Sequence, residues 1–201
     1  MAVALDSACE SVITSAVEGR VAGERVRVYA ATDFMAREQA VKAYLKFMVY
    51  RGMGLGEDGK LVFFVKDTGY VGEHDIDGFS TGKGEKIRVE DSKKLLHLLE
   101  NNKIKRWIKH PAFGYLIPDP EEMETQHGMK NFAERFNLLN YYSPQEIVEF
   151  IKRDIRERTQ YLANLFKGQR REKEMGEIID VWKNCHTPSP QEIKGFYQTH
   201  Y

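Results

Sequence analysis

A chain of 201 residues, 42% hydrophobic and 30% charged, is long enough to bury one sizeable core with a small appendage and too apolar to remain disordered. Its 30 basic and 30 acidic residues cancel to a formal net charge of zero, which excludes a global basic field for nucleic acid and a global acidic one for a cationic partner. Cys9 and Cys185 stand near opposite ends without Cys-x-x-Cys spacing, no basic leader precedes an apolar run, and no stretch nears the roughly 18 apolar residues of a membrane span, so the expectation is a cytoplasmic protein with no membrane and no nucleic-acid partner.

In chain order, residues Leu5 to Glu18 predict a short amphipathic helix, broken by Gly19 and Gly23 ahead of a strand from Val26 to Ala31. Thr32 or Asp33 can cap a helix from Phe34 to about Arg51, whose Ala40, Val41, Tyr44, Leu45, Phe47 and Met48 recur at helical spacing. The continuous apolar run Leu61 to Val65 predicts a strand covered on both faces. After the turn Asp67-Thr68-Gly69-Tyr70 and the glycine-rich Gly78 to Gly84 comes a strand from Lys86 to Val89. A helix to Asn101 follows, capped by Asp91 or Ser92. Two short extended pieces, Lys105 to Ile108 and Gly114 to Ile117, complete an α/β alternation.

Beyond Pro118 the pattern turns helical and charged. Ser143 with Glu146 forms a capping box, Pro144 takes the first helical position, and Ile147, Val148, Ile151, Ile155, Tyr161, Leu162 and Leu165 supply an apolar stripe as far as Lys167, where Gly168 stops the helix. A charged link, Gln169 to Glu174, leads to a helix around Ile178 to Lys183, and Ser189-Pro190-Gln191-Glu192 repeats the capping logic for a last one. The expected fold class is α/β, a mixed sheet flanked by helices with a helical C-terminal extension. The expected divisions are residues 1–31 (helix and strand), 32–168 (α/β domain) and 169–201 (extension).

The order of these pieces resembles the C-terminal part of the nucleotide-binding domain of ATP-dependent phosphoenolpyruvate carboxykinases. The family places a helix before an Asn-Thr-Gly-Trp type turn, matched by Lys66 to Tyr70, and then a Gly-x-Gly-Lys-Arg-Ile type loop, matched by Gly82 to Ile87. A helix opening near Thr-Arg follows, matched by Ser92-Lys93, and then a Pro-x-Phe-x4-Pro stretch, matched by Pro111, Phe113 and Pro118. With a closing helix like residues 144–167, the similarity spans roughly residues 32–167. It implies a nucleotide partner, ATP, near Lys83, Gly84, Lys86, Ile87 and Ser92. Lys86 stands at the family's phosphate-side Arg, Ile87 and Ser92 at its base-side Ile and Thr, and Lys83 and Gly84 belong to the loop. Lysine keeps the charge of arginine without its planar fork.

The family's phosphate loop, metal ligands and substrate arginines lie upstream of the matched region. The pattern Gly-x4-Gly-Lys-Ser/Thr does not occur, because Gly84 follows Lys83 where a hydroxyl would hold magnesium. The resemblance therefore implies a carboxykinase-like domain, inactive alone, with magnesium supplied only in an intact assembly with an upstream carboxykinase-like chain or a homo-oligomer. No catalytic residue or metal ligand is assigned. The rival reading is a non-catalytic module that binds a nucleotide or a protein. An RNA-associated helical protein is a third, but it needs charge segregation that Asp154, Glu157 and Glu172 break among Arg153, Arg156, Arg158, Lys167, Arg170, Arg171 and Lys173.

Simpler readings apply elsewhere. His74, Asp75 and Asp77 lack metal-ligand spacing and read as a solvated loop. Glu121, Glu122, Glu124 and His127 read as the exposed face and early turn of a helix. Phe132, Phe136, Tyr141, Tyr142, Trp107 and Trp182 read as packing residues. Cys185 beside His186 has no orienting third group and does not read as a nucleophile pair.

Overall fold

The computed structural model describes residues 10–12, 25–27, 39–53, 62, 64, 69–75, 79–169 and 172–201. Helices and strands are both present, and the strands pair only antiparallel among the described residues. Where one mixed sheet is expected, the described residues show three two-stranded ribbons, β1 (Glu10–Val12) with β2 (Arg25–Arg27), β3 (Tyr70–Val71) with β4 (Glu85–Lys86), and β5 (Trp107–Lys109) with β6 (Leu116–Pro118). Strands this short reach their nearest antiparallel neighbour through local connections, whereas a parallel pair needs a long crossover.

By contact density the chain forms two compact units. The first, Met1–Val65 with Asp154–Cys185, holds β1, β2 and α1 (Gln39–Gly52). Tyr44 and Phe47 are buried on α1, while Val41, Leu45, Met48 and Val49 are exposed. The expected helix over residues 5–18 is corrected where it is described: Glu10–Val12 is a strand registered against Arg25–Arg27. A cross-strand ladder outweighs the helical pattern of a segment too short to nucleate a helix well. The strand predicted over Val26–Ala31 is observed through Arg27, and residues 28–31 lie outside the described residues. Of the predicted central strand at residues 61–65, Val62 and Phe64 are described. Neither is in a strand, and they are 60% and 49% exposed. The rest of that run lies outside the described residues, as do Asp67, Thr68, Asp77 and Gly78.

The same unit takes the C-terminal part of α5 (Pro144–Phe166) and all of α6 (Glu172–Lys183). Leu162, Phe166, Met175, Ile178 and Trp182 are buried there. Arg158 is buried too, its guanidinium 4.8 Å from the Trp182 ring centroid and its Nε 2.7 Å from Asp154. Within this basic run Arg158 is therefore a buried ion-paired residue, where an aromatic face and an i,i+4 carboxylate compensate the buried charge.

The second unit, Lys66–Arg153 with His186–Tyr201, contains α2 (Val89–Glu100), α3 (Pro120–Thr125), α4 (Phe132–Phe136), a 3-10 turn at Leu138–Asn140, and α7 (Pro190–His200). Its core joins Leu98, Ile104, Met123, Met129 and Phe132, with Trp107 and Phe136 packed against them. The expected strand Lys86–Val89 stops at Lys86, and Val89 opens α2 after an extended Arg88. Ser92 is not the cap: its N–H already donates to the Arg88 carbonyl at 3.1 Å. Glu90 and Asp91 suit the positive end of the helix dipole in that first turn. Both predicted capping boxes form, Ser143 with Glu146 and Ser189 with Glu192.

Candidate functional site

Lys83, Gly84, Lys86 and Ile87 are brought together on one hairpin built on β3 and β4. Tyr70 opposes Lys86 and Val71 opposes Glu85, and a further bridge joins His74 to Ser80. The Lys86 ammonium lies 5.9 Å from the Tyr70 ring centroid, Lys83 is exposed, and Ile87 is half-buried with its N–H on the Gly69 carbonyl at 3.0 Å. Ser92 lies on α2 rather than on the hairpin, its side chain buried in the first turn of that helix.

The turn is closed on itself by its own hydroxyls and carboxylates. Phe79 N–H donates to Asp75 Oδ1 at 2.9 Å, Thr81 N–H to the Glu73 carbonyl at 2.7 Å, Gly82 N–H to Ser80 Oγ at 3.3 Å, and Lys83 N–H to Thr81 Oγ1 at 3.1 Å. Ser80 Oγ donates in turn to the Glu73 carboxylate, and Thr81 Oγ1 to the Gly72 carbonyl at 3.0 Å. Glycine is required at two places by close approach. A Cβ on Gly84 would lie 2.6 Å from Glu73 Cα, and one on Gly72, whose φ is +76°, would lie 2.8 Å from Tyr141 Cβ. The His74 carbonyl accepts the Tyr142 hydroxyl at 2.7 Å, which ties the hairpin to the segment before α5.

Beside the hairpin lies an open cleft of about 450 Å³ lined by Glu85, Arg88, Glu134, Arg135 and Tyr141. Arg135 at its edge is buried and paired with Glu85 and, at 2.7 Å, with Asp91. Burial alone would lower the Arg135 pKa, but these two carboxylates raise it above its ordinary value. The guanidinium is thus committed to protein partners and is not a free anion receptor. Among the described residues no three His, Cys, Asp or Glu side chains form a group that could hold a metal ion. None of the described helices is long and apolar enough to cross a membrane.

Sequence reasoning missed Glu122. It is fully buried rather than on an exposed face, and it accepts the backbone N–H groups of Lys105, at 2.9 Å, and Arg106 while His127 Nε2 lies 3.2 Å away. Burial would raise its carboxyl pKa; the two amide bonds and His127 outweigh that and hold it below the usual carboxylate value. The signal was faint, one glutamate among neighbours on a short helix. Cys185 and His186 turn to different partners, the thiol to the Val181 carbonyl at 3.4 Å and the ring to Glu192 at 3.2 Å. Burial raises the Cys185 thiol pKa, away from a reactive thiolate.

Family models, curated proteins and solved structures give no match to this chain.

Proposed function

We propose that the chain is a non-catalytic binding module, related by motif order to the nucleotide-side lobe of ATP-dependent carboxykinases and inactive as a carboxykinase by itself. The observation that carries this reading is the inward use of the hairpin amides: Phe79, Thr81, Gly82, Lys83 and Ile87 already donate within the hairpin. A phosphate cradle needs such donors open, and phosphoryl transfer adds carboxylates that hold a metal. Among its described residues the hairpin presents Tyr70, Phe79 (71% exposed), Lys83 and Lys86 outward, together with Ser80 and Gly82. The exposed Phe79 ring and the exposed Tyr70 ring with the Lys86 ammonium beside it suit contact with an acidic surface of a protein partner.

A nucleotide contact made by side chains alone is the second reading. It is favoured by the exposure of Lys83 and Lys86, whose ammonium groups can reach phosphates even while the backbone is engaged. Titration calorimetry with ATP, ADP and adenosine, with and without magnesium, separates the two. The expected result is no saturable nucleotide binding and no release of carbon dioxide from oxaloacetate above the metal-catalysed background. ATP binding that Lys86→Ala weakens more than adenosine binding would replace the first reading with the second. Nucleotide-dependent turnover by the chain alone would overturn both.

A further inference from the structure

His110 follows β5 directly and is 8% exposed. Its ring stacks on Tyr115 at 5.0 Å and Phe113 at 5.6 Å, and it meets Phe196 of α7 edge-on at 5.7 Å. Nδ1 accepts the Ala112 N–H at 3.3 Å, so that nitrogen carries no proton and the ring is neutral. The backbone closes the same turn, His110 N–H on the Tyr115 carbonyl and Gly114 N–H on the His110 carbonyl. On the α7 side, Phe196 continues the cluster to Tyr197, His200 and Tyr201.

Among the described residues, the titratable and charged groups around this cluster are few. The turn contributes Tyr115; α7 and the chain end contribute Tyr197, His200 and Tyr201; Lys109 precedes the ring on β5, and Asp119 after β6 acts on Tyr201. Burial raises the pKa of the Tyr197 and Tyr201 hydroxyls, so both stay neutral. Among the described residues no carboxylate bonds the His110 ring to hold an imidazolium in place.

We propose that His110 is an acid-operated latch: protonation of Nδ1 removes the acceptor for the Ala112 N–H, places a charge inside the ring stack, and frees the C-terminal half of α7 from the β5–β6 turn. The N-terminal end of α7 stays closed over the same range. Burial lowers His110 from its ordinary value of 6.5 to about 4, whereas hydrogen bonds from the Ser189 backbone and hydroxyl, with His186, lower Glu192 to about 2. The contribution of His110 to docking is complete above its unfolded value of 6.5 and falls as pH drops to about 4. Throughout that window Glu192 remains the carboxylate that its capping box requires. Attraction of an imidazolium for the ring faces opposes release, whereas burial favours the neutral ring and so sets the direction proposed.

Amide hydrogen exchange from pH 7 to pH 4, corrected for intrinsic chemical exchange, tests the latch on the intact chain. Opening of residues 196–200 should rise by about tenfold per pH unit below 6.5 relative to α2 of the same unit, and His110→Phe should abolish the rise. An unchanged ratio, or the same rise in His110→Phe, overturns the proposal. Should that variant fail to fold, the His110 ring resonance of the parent chain decides: a midpoint well below 6.5 that coincides with shifts of Phe196 is expected, and an ordinary midpoint overturns it.

Discussion

Glu122 accepts the Lys105 backbone N–H at 2.9 Å from a side chain that water does not reach. With Arg106 N–H on its other oxygen, one carboxylate fastens α3 to the segment leading into β5. Glu122→Gln keeps one acceptor and sets an amide NH₂ against the other donor, so it should destabilise the chain by about 2–3 kcal/mol, and Glu122→Ala by about 3–5 kcal/mol. Urea unfolding midpoints check both. Because the folded carboxyl lies below its unfolded value of 4.5, its contribution is complete above that pH and is lost as pH falls through the folded value. The gap between parent and Glu122→Gln should therefore narrow in acid.

The contrast between Glu122 and the capping boxes shows which features the sequence made legible. Ser143 with Glu146 and Ser189 with Glu192 are recognisable because donor and acceptor sit three residues apart and act before any tertiary contact. The end of α5 is legible for the same reason, since Gly168 adopts φ +73° there. Glu122 serves donors 16 and 17 residues upstream, and nothing local separates it from the exposed Glu121 or the half-buried Glu124 beside it. β1 is hidden likewise, because its partners in β2 lie 13 to 17 residues downstream, beyond the reach of its own short pattern. At the candidate site, Ser80 and Thr81 before Gly82-Lys83-Gly84 carried the information that the turn bonds to itself, since such hydroxyls bind nearby amides. Read as a phosphate cradle, the same letters pointed outward.

Gly84 distinguishes a structural turn from a ligand cradle. Gly84→Ala drives a methyl against the Glu73 backbone, and Gly72→Ala adds a left-handed φ to a clash with the stem of Tyr141. Each should cost roughly 2–4 kcal/mol. Gly82, also left-handed at φ +65° but facing open space, should lose only about 1 kcal/mol on substitution by Ala. Thermal melts of the three variants check the ranking. A Gly84→Ala chain as stable as its parent would return weight to the cradle.

Removing residues 169–201 should abolish cooperative melting. The cut takes the buried Met175, Ile178 and Trp182 from the first unit and the buried Ile193 and Tyr197 from the second. Burial of side chains this size stabilises by roughly 1.5–3 kcal/mol each, so the loss rivals the ~5–15 kcal/mol that holds an ordinary domain. Circular dichroism of residues 1–168 provides the check, and a sharp melt would show instead that the last two helices are an appendage.

The capping box of α7 sets an acid limit distinct from that of His110. Ser189 and His186 hold the Glu192 carboxyl down at about 2 against an ordinary 4.5. A depressed carboxyl stabilises fully above its unfolded value and ceases to do so as pH falls through the folded one, here between about 4.5 and about 2. Ser189→Ala removes the hydroxyl that both donates to Glu192 and accepts the Glu192 N–H. Its penalty at pH 7 should be about 1 kcal/mol, and it should shrink across that window as protonation weakens the same box in the parent chain. Paired denaturation curves for parent and Ser189→Ala at pH 7, 4.5 and 2.5 measure it; a penalty independent of pH would mean that Ser189 works through its hydroxyl on the Glu192 amide alone, without the carboxylate.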